Sequence, residues 1–326
     1  MPGGSLRSDH CTHCPGSHTG ARPCLASATD KTRAWLLIEH PGPWAGKLDD
    51  TDLAAPVRRA LDRAREHSVR VQLIRRPGRR RITPPVQVYV AWSGMGGVWL
   101  EGRELAAAAE LNELDLKAVG AGVRPGFGVP VPRLFLVCTN AKHNACCAQL
   151  GTPLARAMQD GFGDAVWETT HLGGDRYSAN MVCLPHGLYY GDLAIADGLI
   201  AAGRYARGEV WLRRYRGRGG LAQPAQAAEH FLRAEYGIAS VDAVCVESVQ
   251  GTGSVIEVVV RVSDDRYLVR VERVPLHHAC GPECTEKSST YTLTDLTRLA
   301  PASGREATDP AVPALSLADG EVLSGA

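Results

Sequence analysis

Three cysteines lie close together in the segment LVCTNAKHNACCAQLG, residues 136–151. Cys138 ends an apolar run that predicts a strand, and Cys147 precedes a predicted helix that starts at about Ala148. Strand ends and helix N-termini are where an α/β fold presents reactive groups, and a helix N-terminus favours the thiolate over the thiol. The sequence therefore predicts two anionic sulfur donors on one rim of the fold.

A second polar cluster follows the next predicted strand, in WETTHLGGDRYSAN, residues 167–180. His171 and Asp175 bracket the tripeptide Leu-Gly-Gly, and two glycines let the backbone fold tightly enough for both side chains to face one object. Together with Cys138 and Cys147, these residues predict a four-ligand site with two sulfur donors, one nitrogen and one oxygen.

These two segments resemble the sucrase/ferredoxin-like family, whose core is a thioredoxin-like [2Fe–2S] ferredoxin. In that family, two cysteines nine residues apart precede an H-x-G-G-H-[RK]-[YF]-A-x-N motif, and the two cysteines and two histidines hold the cluster. The matching residues are Cys138, Cys147, Ala148, Gly151, His171, Gly173, Gly174, Arg176, Tyr177, Ala179 and Asn180. The resemblance also includes WLLIEHPGPW before the core and YRGRGGLAQPAQAAE after it, and covers most of residues 24–300.

The resemblance implies a cytosolic one-electron carrier that works by outer-sphere electron transfer. Its implied cluster ligands are Cys138, Cys147 and His171, and the residues that shape or support the ligand loop are Gly173, Gly174, Arg176 and Tyr177. We therefore expect an electron carrier rather than an enzyme that transforms a substrate, served by a redox partner protein such as a reductase. No pair of glycosidase carboxylates in the core supports the sucrase part of the family name.

Asp175 stands where the family pattern has its second histidine. A carboxylate is an anionic, hard ligand, so it should lower the reduction potential relative to a site with two cysteines and two histidines. His143, Cys146 and Cys183 are alternative fourth ligands, and loss of the cluster or its replacement by another metal is a further alternative. The nine-residue spacing selects Cys147 over Cys146, which we interpret as a buried small hydrophobic residue.

A rival interpretation comes from a different class of protein, a cluster-free thioredoxin-like thiol or zinc protein. In that case Cys146 and Cys147, or Cys138, would carry out thiol redox chemistry or bind zinc.

A second metal site is suggested by cysteines far apart in the chain. Cys11 and Cys14 have the C-x2-C spacing of half a zinc site, and Cys280 and Cys284 lie in HHACGPEC. Together they could form a structural zinc site. The alternative is that they are surface thiols on a flexible head and a loop.

Composition and charge restrict the class of protein. With 44% hydrophobic and 22% charged residues and a net charge of +1, the chain is typical of a globular protein, and we expect neither nucleic acid nor a membrane as a partner. We interpret its arginine-rich runs first as solvated surface and second as docking sites for an acidic redox partner. The lack of a secretory leader and the ten cysteines indicate a reducing, cytoplasmic location.

The pattern of elements predicts a mixed α/β fold with a thioredoxin-like core, an N-terminal α/β unit and a C-terminal α+β antiparallel meander. The predicted boundaries are a flexible Cys/His-containing head (1–30), the N-terminal unit (31–125), the ferredoxin core (131–210), the C-terminal unit (220–300) and a disordered tail (301–326). Helices are predicted at 104–116, 148–158 and 193–203, and His186 is expected to be exposed in a hairpin turn.

Overall fold

The computed structural model describes residues 25–78, 85–174, 177–275 and 289–300, and the backbone of two short paired strands, β1 (Arg7–Ser8) and β2 (Cys11–Pro15). Several predictions lie outside the described residues, namely those for Asp175, Arg176, Cys280, Cys284 and the tail at 301–326. For Cys11 and Cys14 only the backbone is described.

Residues 34–130, which we call the first half of the large sheet, form five strands, one crossover helix and a second, short helix. Its elements are β3 (Ala34–Glu39), α1 (Ala55–Glu66), β4 (Val69–Arg75), β5 (Val86–Gly94), β6 (Gly97–Leu105), α2 (Leu116–Gly120) and the short β7 (Val129–Pro130). A proline in the first turn starts α1, which buries Ala60, Leu61 and Ala64. The helix predicted at 104–116 is replaced by a 3-10 helix, Ala108–Glu113, because β6 continues to Leu105.

Residues 134–218, which we call the second half of the large sheet, repeat this arrangement. Its elements are β8 (Leu134–Cys138), α3 (Ala145–Phe162), β9 (Val166–Thr169), β10 (Met181–Leu184), β11 (Leu188–Tyr190), α4 (Ile195–Ala206) and β12 (Tyr215–Arg218). The helix predicted from about Ala148 begins at Ala145, so that Cys147 lies inside its first turn.

Both halves belong to one ten-stranded sheet with the order β12-β11-β10-β8-β9-β4-β3-β5-β6-β7. The strand order β4-β3-β5-β6 in the first half matches β9-β8-β10-β11 in the second, and in each half the helix connects the parallel pair, β3 with β4 or β8 with β9. The halves join through β4 and β9, which pair only at their C-terminal ends, Ile74 with Thr169 and Arg75 with Glu168. The loops that follow the parallel strands of both halves therefore meet at this junction.

The sheet curls around an apolar layer that both halves share. Trp35 of β3 contacts Tyr189 of β11 with ring centroids 6.3 Å apart, although four strands lie between β3 and β11 in the sheet order. Cys138, Cys147 and Trp167 belong to the same buried layer. The helices pack on the opposite face, α1 and α2 over the first half and α3 and α4 over the second. The sulfur atoms of the predicted site thus border a shared core.

A smaller sheet follows the large one. The elements are α5 (Gln223–Tyr236), β13 (Val244–Gln250), β14 (Val255–Val262), β15 (Asp265–Pro275) and β16 (Ser289–Arg298), and the strands form an antiparallel meander in chain order. Helix α5 packs on this sheet, and its buried Glu229 pairs with Arg218 of β12 and Arg233. None of the helices in the described ranges has the length and apolar character to cross a bilayer.

The expectation that His186 would be exposed is wrong. Its side chain is 15% exposed, with Nδ1 2.7 Å from the Tyr205 hydroxyl and Nε2 3.1 Å from a carboxylate oxygen of Asp242. The turn between β10 and β11 is thereby fastened to α4 and to the segment that precedes β13.

Candidate metal centre

Two loops bring two thiols and one imidazole together. Cys138 is the last residue of β8, Cys147 lies in the first turn of α3, and His171 follows β9. The Nδ1 atom of His171 is 3.8 Å from the Cys138 sulfur and 3.9 Å from the Cys147 sulfur. The three ligand atoms lie within 4.8 Å of one another, and both cysteines are buried whereas His171 is half-buried. This arrangement could hold a metal.

The start of α3 places the second sulfur. The Asn144 side chain caps the helix by accepting a hydrogen bond from the Cys146 N–H at 2.9 Å, and the Cys147 N–H donates to the Asn144 carbonyl oxygen at 3.0 Å. Cys147 consequently lies at the positive end of the helix dipole, which favours an anionic sulfur. Its sulfur also lies 3.6 Å from the Ser178 hydroxyl.

The pKa of Cys138 is well below the ordinary value for a thiol. A hydrogen bond from the Cys147 thiol is the largest cause, and the hydrogen bond and charge of His171 act in the same direction. Burial opposes the shift without overcoming it. The site therefore favours a thiolate at Cys138, which is the form that binds metals.

Gly151 allows α3 to approach the C-terminal end of β8, where Cys138 lies. A Cβ at this position would collide with the carbonyl oxygen of Cys138. The absence of a side chain thus sets the separation between the two elements that carry the cysteines.

Arg216 fixes the glycine loop that follows His171. Its Nη1 donates to the Gly173 carbonyl at 3.0 Å and to Asn180 Oδ1 at 2.7 Å, and Asn180 Nδ2 donates to the Gly174 carbonyl at 2.8 Å. Gly174 has a φ of +73°, and a Cβ there would collide with the Arg216 guanidinium. The Arg216 guanidinium also lies 5.1 Å from the centroid of the Tyr177 ring. Sequence reasoning did not assign this role, because 43 residues separate Arg216 from Gly173.

The other candidate ligands do not belong to this group. Cys146 is buried beside Cys147 but does not belong to it. Cys183 of β10 packs in the core on the helix-covered face of the sheet, where burial raises the pKa of its thiol. His143 is exposed and stacks on His171, with its Nδ1 3.1 Å from the Gly46 carbonyl oxygen. Among the described residues, the metal-binding group therefore consists of Cys138, Cys147 and His171.

The fold and the site together define a mixed α/β protein with a two-cysteine, one-histidine group suited to a metal. A family model described as sucrase/ferredoxin-like matches residues 25–217, more than half of the chain. The chain belongs to the sucrase/ferredoxin-like family, as its motifs predicted. Comparison with curated proteins and comparison with solved structures give no match.

Proposed function

We propose that the protein is a one-electron carrier that holds a [2Fe–2S] cluster through Cys138, Cys147 and His171. The observation that carries this proposal is the convergence of the three side chains from two loops, with ligand atoms within 4.8 Å of one another. Such clusters accept thiolate and imidazole ligands and need four in all. Asp175, outside the described residues, is the proposed fourth ligand.

The donor set fits a cluster of this kind. Cys138 and Cys147 are fully buried, and the lowered pKa of Cys138 favours the anionic sulfur that iron requires. When bound, the cluster would supply reversible one-electron chemistry. The two thiols and the imidazole would hold it, and the apolar layer that contains both cysteines would keep water from one side.

Arg216 supports electron acceptance at such a centre. Its guanidinium is buried and donates to the Gly173 carbonyl, so a positive charge lies beside the ligand loop. A nearby cation stabilises the more negative, reduced state of a cluster, which raises the reduction potential. In our proposal this effect opposes the lowering expected from Asp175.

The thioredoxin-like nature of the core, residues 131–210, is part of the same proposal. The strand order β9-β8-β10-β11 supports it, with α3 connecting the parallel strands and α4 following the last hairpin. The boundaries 1–30, 31–125, 220–300 and 301–326 remain predictions, although strands from 31–125 and 131–210 share one sheet.

A redox partner protein such as a reductase and a cytoplasmic location complete the proposal. The support for this location is that the described cysteines are not disulfide-bonded, which is typical of a reducing compartment. They are Cys138, Cys146, Cys147, Cys183 and Cys245.

The test is the visible spectrum of anaerobically purified protein, together with its iron and sulfide content. We expect absorption bands beyond about 400 nm that bleach with dithionite, because thiolate-ligated iron–sulfur clusters have charge-transfer transitions that depend on oxidation state. An Asp175→His variant should keep the cluster and raise its reduction potential, since a neutral ligand replaces an anion. Colourless wild-type protein, free of iron and sulfide, would overturn the proposal. If only the Asp175→His variant then contained a cluster, the presence of aspartate instead of histidine at position 175 would be the reason that the wild-type protein binds none.

A single-ion thiol site, such as a zinc site, is the second candidate. The observation that favours it is the separation of the ligand atoms. The sulfur–nitrogen distances of 3.8 and 3.9 Å are close to the distance between a sulfur ligand and a nitrogen ligand of one tetrahedral zinc ion. Bond lengths of about 2.3 Å for zinc–sulfur and about 2.0 Å for zinc–nitrogen give such a distance of about 3.5 Å. Stoichiometric zinc in colourless protein would support this candidate.

A further inference from the structure

An exposed histidine covers the imidazole of the candidate ligand. The rings of His143 and His171 stack with centroids 3.6 Å apart and planes inclined by 19°. His143 lies in the loop between the two cysteine ligands, and its side chain is exposed whereas His171 is half-buried. The His143 ring therefore shields one face of the His171 ring.

The first half of the sheet holds His143 in this position. Its β3–α1 loop accepts hydrogen bonds at two consecutive carbonyls, Ala45 from Asn140 Nδ2 at 3.0 Å and Gly46 from the His143 ring at 3.1 Å. The loops are in close contact, because a Cβ at Gly46 would lie 2.9 Å from the Lys142 carbonyl oxygen. We call this contact between residues 45–46 and 140–143 the latch.

By holding His143, the latch restricts rotation of the His171 side chain, which decides whether Nδ1 faces the two sulfurs. Rotation of the His171 ring about its side-chain bonds would move Nδ1 away from the two sulfurs. The backbone of His171 is held by a hydrogen bond from Arg70 to its carbonyl oxygen at 3.2 Å. The stacked His143 ring restricts the imidazole itself, since rotation would sacrifice the aromatic contact.

We propose that His143 is a positioning residue of the metal centre, which keeps the His171 imidazole turned toward the two thiols. Through Gly46, the first half of the sheet thereby controls how firmly the second half retains its metal. This inference deepens the proposed function, on which it rests for the bound metal.

The test compares metal release in four variants of the full chain. His143→Ala removes the stack, and His143→Phe keeps a flat ring but loses the bond to Gly46. Gly46→Ala disturbs the latch without altering any side chain at the site. Gly161→Ala is the matched control, because a Cβ there would meet nothing within 4 Å. The release of iron from the anaerobically purified protein to an excess of chelator is followed by the loss of visible absorption, and the reduction potential is measured alongside.

We expect His143→Ala and Gly46→Ala to release iron about fivefold faster than wild type, in line with the contribution of one aromatic pair. His143→Phe should release iron at a rate between those of wild type and His143→Ala, because it keeps a stacking ring but loses the bond to Gly46, and Gly161→Ala should match wild type. The potential should shift in His143→Ala and return toward the wild-type value in His143→Phe, which loss of fold stability alone would not produce. Equal release rates and potentials in all variants would overturn the positioning role while leaving the cluster in place.

The outcome separates this inference from the proposed function. If wild-type protein contains zinc instead of a cluster, the electron-carrier proposal fails. The same four variants are then compared by zinc release to a chromogenic chelator, with the same order of rates expected. Wild-type protein that retains neither iron nor zinc would overturn both.

Discussion

Gly151 of α3 lies directly against the carbonyl oxygen of Cys138 at the end of β8, with no room for a side chain between them. A Gly151→Ala substitution must therefore push the helix and the strand apart, and with them the two sulfurs. We expect it to lower the free energy of unfolding by about 1–3 kcal/mol, the usual effect of overpacking, and to reduce the metal bound per chain. Urea unfolding and metal analysis measure the two effects.

Gly161→Ala is the matched control, because it lies in the same helix with open space at its Cβ position. Replacing glycine by alanine in a helix is stabilising by roughly 0.5–1 kcal/mol where space allows. The close packing at the site is contradicted if Gly151→Ala stabilises the protein as the control does.

Arg216 provides a second prediction, since it connects Gly173 and Asn180 through one guanidinium. Arg216→Lys keeps the positive charge but loses the planar fork. We expect the variant to be less stable by about 2–4 kcal/mol, from lost hydrogen bonds to a charged group, and to bind less metal. Thermal unfolding and metal content provide the measurement.

Arg213→Lys, an exposed position on the same segment, should leave stability and metal content unchanged. If Arg216→Lys were as stable and as metal-rich as this control, Arg216 would not be what holds the glycine loop.

The sequence predicts the parts of the site that depend on local pattern. Cys138 at a strand end, Cys147 at a helix start and His171 before two glycines follow from apolar runs and turn residues, and all three meet as expected. The contacts of Arg216 with Gly173 and of His143 with Gly46 were not predicted, because 43 and 97 residues separate the partners.

The fold, like the site, was predictable where it depends on neighbouring residues and not where it depends on residues far apart in the chain. The two helices of the second half, predicted at 148–158 and 193–203, form at Ala145–Phe162 and Ile195–Ala206, nearly in place, since each has its own apolar periodicity. The matching strand orders of the two halves were not anticipated, because the repeat lies in how strands pair and no sequence period accompanies it. The curl of the sheet, which brings Trp35 onto Tyr189, likewise depends on the path of the whole chain.

The titration of His186 makes the free energy of unfolding depend on pH. Burial and the nearby Arg218 lower its pKa, while Asp242 opposes the shift. The folded state therefore favours the neutral imidazole, whereas the unfolded chain takes up a proton below a pKa of about 6.5. The free energy of unfolding is therefore highest above the unfolded-state pKa of His186, and it declines as the pH falls from that pKa toward the lower folded-state pKa.

We expect wild-type protein to lose more stability than His186→Gln between pH 7.5 and pH 5.5, measured by urea unfolding at both values. Arg218 is paired with Glu229 and remains charged throughout, so the difference isolates the histidine. A stability gap between the two proteins that does not change with pH would contradict this account.

The central claim is that Cys138, Cys147 and His171 hold one metal centre, and the most direct measurement is the metal bound per chain after anaerobic purification. Wild type is compared with Cys138→Ser, Cys147→Ser and His171→Ala, and with Cys245→Ser as a half-buried cysteine outside the group. We predict metal in wild type and in Cys245→Ser, and loss of most of it in each of the other three. Full metal content in those three variants, or none in wild type, would contradict the claim.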